Sequence, residues 1–405
     1  MPLKLTRVGT VYSFTQLEET GTEVLKLRPS DGDRSKEVVR EICGSLIPLY
    51  QFPAEDGLFE KRIRSFGDFQ RMPSSMVPDV DEPMPLLSDE DTVLEGSSDS
   101  GSSSQVVPQR SILDNLMLAE WEDRADQGLF RYDVTACPSR VMSGMYGFIA
   151  QLNEGRASKK RPTEFCVDQV NQPFDDSKFN FGKALQREVL FQFEGSSCRH
   201  ASFTPAAVAE NSPSLVMINV SPIEYGHVLL VPKVLENLNQ CLGPETLLLA
   251  LQFAREANNP YFRVGFNSLG AYATINHLHF QAYYLAAPMP IERAPTESLH
   301  AMNKKSLGKG KDGCKVRVLK ITNYPVRALV FEAGSSLSEL ASKVGMACEW
   351  LTEQNIPHNV LIVDRGARIF LIPNGFAERK ARGELPDGKQ MSLALCSYQC
   401  SIKDD

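Results

Sequence analysis

An α+β fold assembled from a strand, strand, helix, strand, strand unit and a second, similar unit is what this sequence predicts. Three observations carry that expectation. Short runs rich in β-branched and aromatic residues end in Gly, Pro, Asn or Asp turns. Two longer segments place apolar residues at helical spacing. A similar order of elements, strand, helix and hairpin, recurs after a lysine-rich loop, Asn303 to Lys315. With 405 residues, 42% of them hydrophobic, the chain is long enough for one large domain or two medium ones.

Residues 1–71 hold short apolar stretches such as Ser45 to Tyr50 but no long periodicity, and no role is assigned to them. Residues 72–110 form an acidic insert rich in Pro and Ser. Between Asp79 and Asp99 it carries eight acidic residues and no basic one, and Gly96 to Ser104 is only Gly, Ser and Asp. Too little apolar surface is present there to offset the entropy of ordering, so a disordered, solvated linker is expected. Residues 111–300 are expected to be the main folded unit. Ser111 or Asp114 caps a helix whose apolar positions include Ile112, Leu113, Leu116, Leu118 and Trp121. Strands follow at Val189 to Phe193, Ser214 to Val220 and Val228 to Val231, the last two joined as a hairpin by Ser221 to Gly226. Pro244 starts a helix with Leu247, Leu248, Leu251 and Ala254 on one face, and Asn258-Asn259-Pro260 stops it before a strand at Phe262 to Asn267. After a connector at 301–316, residues 317–385 repeat the pattern: a strand at Val326 to Glu332, a helix at Ser336 to Gln354, and a hairpin of Val360 to Val363 with Arg368 to Ile372. Residues 386–405 are an atypical tail.

The 43 Lys and Arg against 50 Asp and Glu give a net charge of −7, which excludes a sequence-independent grip on nucleic acid. The best apolar run, Leu247 to Ala254, is too short to cross a bilayer, and no apolar segment follows Lys4 and Arg7 at the start. Nine scattered cysteines without a C-x-x-C pair point to a reducing compartment rather than a disulfide framework or a zinc cage. The expected compartment is the cytoplasm, with the nucleus as a second one, and no membrane partner is expected.

Chemistry concentrates in His277-Leu278-His279-Phe280-Gln281, which holds two of the six histidines. On a strand, alternation would put His277, His279 and Gln281 on one face at roughly 7 Å intervals, with Leu278 and Phe280 behind. Imidazole is substantially neutral near pH 7, so His279 can attack phosphorus without a separate base, and it leaves again readily. Gln281 can donate to a phosphoryl oxygen while His277 orients the nucleophile. Upstream, Asn267, Gly270 and Thr274 lie in a stretch of small residues, backbone N–H groups and a hydroxyl where a phosphate could nest. Two other readings stand beside this one. An H-x-H strand is a metal-ligand pair, although no spacing nominates further ligands, and buried histidines at a sheet edge can be purely structural. The glutamine at the fifth position favours phosphate.

This stretch resembles the H-x-H-x-Q form of the histidine triad superfamily motif, the form found in the galactose-1-phosphate uridylyltransferase branch. Pro222, Gly226-His227 and Pro232-Lys233 resemble the same superfamily's P-x-x-x-G-H-x-L-x-x-P-K hairpin. Glu120 to Arg124, Gly128 to Thr135, Lys160 to Phe165, Phe179 to Phe181 and Tyr324 to Arg327 resemble the GDP-L-galactose phosphorylase family of plant ascorbate synthesis, over roughly residues 112 to 385. The resemblance implies a histidine-triad-like antiparallel sheet with helices, in which two half-domains form a pseudo-dimer, and it leaves a homodimer open. It implies a nucleotidyltransferase acting on a GDP-hexose and inorganic phosphate without a cofactor. His279 becomes the guanylylated nucleophile, while Lys233 and Arg161, with Lys160, neutralise phosphate charge and His227 packs behind the row. GDP-D-glucose phosphorylase activity, a regulatory guanine-nucleotide-binding protein and a metal-dependent hydrolase are the competing functions. The stretch from about Gln390 lacks the family's usual C-terminal segment, so a truncated or alternatively spliced form is expected.

Overall fold

The computed structural model describes residues 38–53, 110–159, 164–165, 169–285, 287–299 and 316–374. The predicted insert up to Gln109, the lysine-rich loop, Lys160, Arg161 and the tail lie outside the described residues. The strands are β1 (Leu46–Pro53), β2 (Ser139–Val141), β3 (Ile149–Gln151), β4 (Val189–Ser196), β5 (Ser202–Val208), β6 (Leu215–Ile218), β7 (Val228–Val231), β8 (Phe262–Asn267), β9 (Phe280–Tyr284), β10 (Thr296–Ser298), β11 (Arg317–Ile321), β12 (Leu329–Glu332), β13 (His358–Val363) and β14 (Arg368–Pro373). The helices are α1 (Ile112–Asp126), α2 (Glu154–Lys159), α3 (Pro244–Ala257) and α4 (Leu337–Glu353).

Local chemistry accounts for the helix ends. Ser111 caps α1 by accepting from the Asp114 N–H, and Ser336 caps α4 by accepting from Glu339. Pro244 occupies the first turn of α3, and Asn258 ends it in the left-handed conformation that asparagine tolerates. No described helix is long and apolar enough to cross a membrane.

The main sheet has twelve strands in the order β10-β11-β12-β14-β13-β8-β9-β7-β6-β4-β1-β5. Within it the order β6-β7-β9-β8, with α3 between β7 and β8, is matched by β11-β12-β14-β13, with α4 between β12 and β13. The equivalent strands β8 and β13 meet antiparallel at the seam, from Asn267 opposite Asn359 to Val264 opposite Ile362. Antiparallel pairing of equivalent strands is what a two-fold relation between halves requires. The chain is therefore an α+β protein whose two halves form an internal pseudo-dimer. Both seam strands are buried along their full length, as expected of strands covered on two faces.

Alternation along β8 sends Phe262, Val264 and Phe266 to one face. There Phe253 of α3 packs edge-on against Phe262 and Phe193, with ring centroids 5.4 and 5.1 Å apart. Helices α3 and α4 approach so closely that a Cβ on Gly345 would lie 2.6 Å from the Pro244 Cα, so only glycine fits there. The opposite face carries Gln281 and Tyr283. On the second half that face is filled by Val330, Leu361, Phe370 and Ile372, packed with Tyr283.

Three expectations change. Residues 46–53, assigned no role above, form β1, which lies between β4 and β5 and pairs parallel with the former and antiparallel with the latter. Thr296 to Ser298, placed in the first unit, pairs as β10 with β11 of the second half. The histidine row is not on a strand: β9 begins only at Phe280, so His277 and His279 lie on its irregular approach. The cause is tertiary, because the backbone groups of His279 bond to the side chain of Gln240, 39 residues away in sequence, instead of to β8.

Candidate active site

Strand β9 lies inside the sheet, between β7 and β8, and its ladder with β8 reaches only as far as Gly265 opposite Gln281. Beyond that point the Gln240 carboxamide takes over. Its Oε1 accepts from the His279 N–H at 2.9 Å, and its Nε2 donates to the carbonyls of His279 at 3.1 Å and Asn267 at 2.9 Å. The neighbouring Asn276 accepts from the Gln240 N–H through Oδ1 at 2.9 Å and donates through Nδ2 to the carbonyls of Gln172 and Pro173. This draws the segment before Phe181 over the histidines.

Each imidazole has one nitrogen assigned by a backbone group, which fixes its tautomer. The Phe181 N–H donates to His277 Nδ1 at 3.1 Å, so the His277 proton sits on Nε2, beside the Val234 carbonyl but without a well-formed bond to it. His279 Nδ1 lies 2.8 Å from the His277 carbonyl, which can only accept, so His279 is protonated at Nδ1 and its Nε2 carries the lone pair. The Phe181 ring stands edge-on to the His279 ring with centroids 5.0 Å apart, and Phe174 meets His277 at 5.6 Å and 90°. Burial in this aromatic surround pulls both imidazoles down to about 4 from the ordinary 6.5, and neither bears a proton charge at neutral pH.

His227 stands beside Gln281. The Ile223 N–H donates to His227 Nδ1 at 2.8 Å, and Asn219 Nδ2, whose Oδ1 accepts from the Ser221 N–H at 3.0 Å, lies 3.3 Å from His227 Nε2. The Gln281 side chain bears on the same imidazole. His227 is fully buried, and burial first, then the Arg156 cation, holds it well below its ordinary value. In the Asn267 to Thr274 loop, Asn359 Nδ2 donates to Asn267 Oδ1 at 2.7 Å and to the Ala271 carbonyl at 2.9 Å. That fixes the flip of the Asn267 carboxamide and leaves its NH2 available. Gly270 turns the loop at φ +74°, a conformation suited to glycine, and the Thr274 hydroxyl is half-buried.

Lys233 pairs with Glu245 at 3.1 Å and with Glu236 at 4.0 Å, and Arg161 lies outside the described residues. A different cation stands behind His227. Arg156 of α2 is buried and bonds the Ser221 carbonyl. Next to the turn that carries His227 is a cavity of about 420 Å³ lined by Trp121, Phe130, Tyr132, Asp133, Thr135 and Pro222. The Trp121 indole donates to the His227 carbonyl at 3.2 Å and the Tyr132 hydroxyl to the Pro222 carbonyl at 2.7 Å, so the cavity wall and the His227 turn are one unit. Among the described residues no group of three or more His, Cys, Asp or Glu side chains converges as a metal site would.

Sequence reading singled out His277, His279 and Gln281 by their spacing and His227 by the hairpin resemblance. It missed Gln240, Asn219, Asn359, Phe181 as a backbone donor, and Arg156. For Arg156 the signal was its place five residues before Arg161 in the same conspicuous stretch. Gln240 and Asn359 carry no local signal, since each acts across a long separation.

A family profile described as GDPGP1-like, N-terminal domain matches residues 112–283, and one described as GDPGP1-like, C-terminal domain matches residues 290–401. GDP-L-galactose phosphorylase 1 of Arabidopsis thaliana is 53% identical over 304 residues, covering 75% of this chain and 66% of the relative; GDP-L-galactose phosphorylase 2 is 55% identical over 280 residues, covering 68% and 63%. The chain thus spans a little under two thirds of the length of these two relatives. Human GDP-D-glucose phosphorylase 1 is 36% identical over 307 residues, covering 72% of this chain and 73% of the relative. Among solved structures, yeast Ap4A phosphorylase Apa2 in complex with Ap4A superposes with a TM-score of 0.41 at 13% identity, covering 65% of this chain and 81% of that one. The two profiles together match well over half of the sequence, and the chain belongs to the GDPGP1-like family.

Proposed function

We propose that this protein is a guanylyltransferase that phosphorolyses GDP-L-galactose to L-galactose 1-phosphate and GDP, as a step of ascorbate synthesis. The observation that carries the reading is the locked tautomer of His279, whose Nδ1–H is held by the His277 carbonyl so that Nε2 keeps its lone pair. In the first half-reaction Nε2 attacks the α-phosphorus and forms a P–N bond. The bond from that phosphorus to the bridging oxygen breaks, and its electron pair leaves with hexose 1-phosphate. In the second, an oxygen of inorganic phosphate attacks the same phosphorus, the P–N bond breaks, and GDP leaves with His279 neutral again.

Gln281 donates its NH2 to an oxygen of the transferring phosphoryl group, and the Asn267 NH2 is placed to do the same. The leaving hexose 1-phosphate is a stable anion, which lowers the need for a strong general acid. An imidazole of low basicity suits both halves, being unprotonated at the start and a good leaving group at the end.

The 53% and 55% identity to two GDP-L-galactose phosphorylases, against 36% to the human GDP-D-glucose enzyme, favours the first hexose. The second reading, GDP-D-glucose phosphorylase, rests on that shared family. Phosphate-dependent GDP release from GDP-L-galactose and GDP-D-glucose, assayed side by side, separates them. A higher kcat/KM for GDP-L-galactose is expected, and preference for GDP-D-glucose would overturn the assignment.

A further inference from the structure

The β8 and β9 ladder stops at Gly265 and Gln281, two residues short of pairing Asn267 with His279. In the opening lies the fully buried Gln240 carboxamide, with one acceptor on the His279 N–H and two donor bonds to the carbonyls of His279 and Asn267. These bonds meet three of the four groups that a paired backbone would join, the His279 N–H and the carbonyls of His279 and Asn267, while the strands stand apart. Gln240 is itself held at its backbone by Asn276, and the Leu278 N–H donates to the Leu238 carbonyl at 2.8 Å. The stretch 238–240 therefore runs beside 276–279 as a stand-in for the missing ladder.

We propose that Gln240 is a positioning residue for guanylyl transfer, parting β8 from β9 at the nucleophile and fixing the backbone from which the His279 ring is aimed. The ring's own polar anchor is the His277 carbonyl, whose peptide unit carries the clamped Leu278 N–H and is followed at once by the His279 clamp, so its tautomer depends on that backbone staying put. Glutamine suits the task because it offers an acceptor and two N–H donors at the end of two methylenes. Glutamate would set a carboxylate against two carbonyl oxygens, methionine keeps the length and offers neither group, and asparagine is one methylene short. The inference rests on His279 being the nucleophile.

The test uses the full chain as Gln240→Met and Gln240→Asn, with two readouts. One is the tautomer of His279 in the ligand-free protein, from ¹⁵N-histidine spectra assigned with His279→Asn. The other is the single-turnover rate of protein guanylylation by GDP-hexose without phosphate, with KM measured alongside. Wild type should show a single Nδ1–H tautomer. Gln240→Met should show averaged ring nitrogens and a guanylylation rate lower by about 10²-fold, with KM within about threefold of wild type. Gln240→Asn should fall between the two. An unchanged tautomer and rate in folded Gln240→Met would overturn the proposal, and so would unfolding of both variants, which would make the clamp a stability element only. If wild type itself is not guanylylated, the function reading fails, while the ring spectra still decide whether Gln240 holds the tautomer.

Discussion

His279 and His277 both sit near pKa 4 because burial disfavours their charged forms. The form that attacks is neutral, so guanylylation should be independent of pH from about 6 to 8 and fall only as pH drops through about 4. Rapid-quench rates across that range check this, and a midpoint near 6.5 would show that the ring is not desolvated as described. Stability follows the same sign. Between 6.5 and about 4 the unfolded chain binds more protons than the folded one, so the contribution of these histidines is complete above 6.5 and is lost as pH falls toward 4. For Gln281, replacement by leucine removes the NH2 donor and should slow phosphoryl transfer by about 10²-fold with a smaller effect on KM. At this scale the spacing H-x-H-x-Q was legible because strand-like alternation and imidazole chemistry are local properties. Asn359, which fixes Asn267 from 92 residues away, was not, because nothing near it in sequence shows what it faces.

Helices α3 and α4 were legible because each buries one apolar stripe and has its caps in sequence, at Pro244 and Asn258 and at Ser336. Strand β1 was not, since its identity comes from pairing with β4 and β5, more than a hundred residues on. The histidine row was misread as strand because alternation cannot reveal that a glutamine elsewhere will bind the His279 backbone. The contact of α3 with α4 yields a direct prediction. Gly345→Ala places a methyl 2.6 Å from the Pro244 Cα, against backbone that cannot rotate away, and should cost about 1–3 kcal/mol. Thermal unfolding of the variant checks this, and an unchanged midpoint would contradict the helix contact.

At the level of the molecule, the two halves share strand order and meet at the β8 and β13 seam, and the H-x-H-x-Q stretch that holds the proposed nucleophile lies in the first. Strand β14, the counterpart of β9, reads Arg-Ile-Phe-Leu-Ile-Pro, and Phe370 and Ile372 fill the face that in the first half is left to Gln281. The second half thus supports the seam and closes its own face with apolar side chains. One guanylyl group per chain is expected at saturation, measured by intact mass. The repetition was legible in the recurring order of elements, whereas the continuous twelve-stranded sheet was not, because seam pairing is decided by which edges meet. The central claim is that Nε2 of His279 carries the guanylyl group between substrates. Incubating the protein with labelled GDP-L-galactose in the absence of phosphate, then mapping the label by peptide mass spectrometry, tests it most directly. An acid-labile, base-stable guanylyl adduct on His279, absent in His279→Asn and discharged as GDP when phosphate is added, is the predicted result; an unlabelled wild-type protein that still releases hexose 1-phosphate would contradict it.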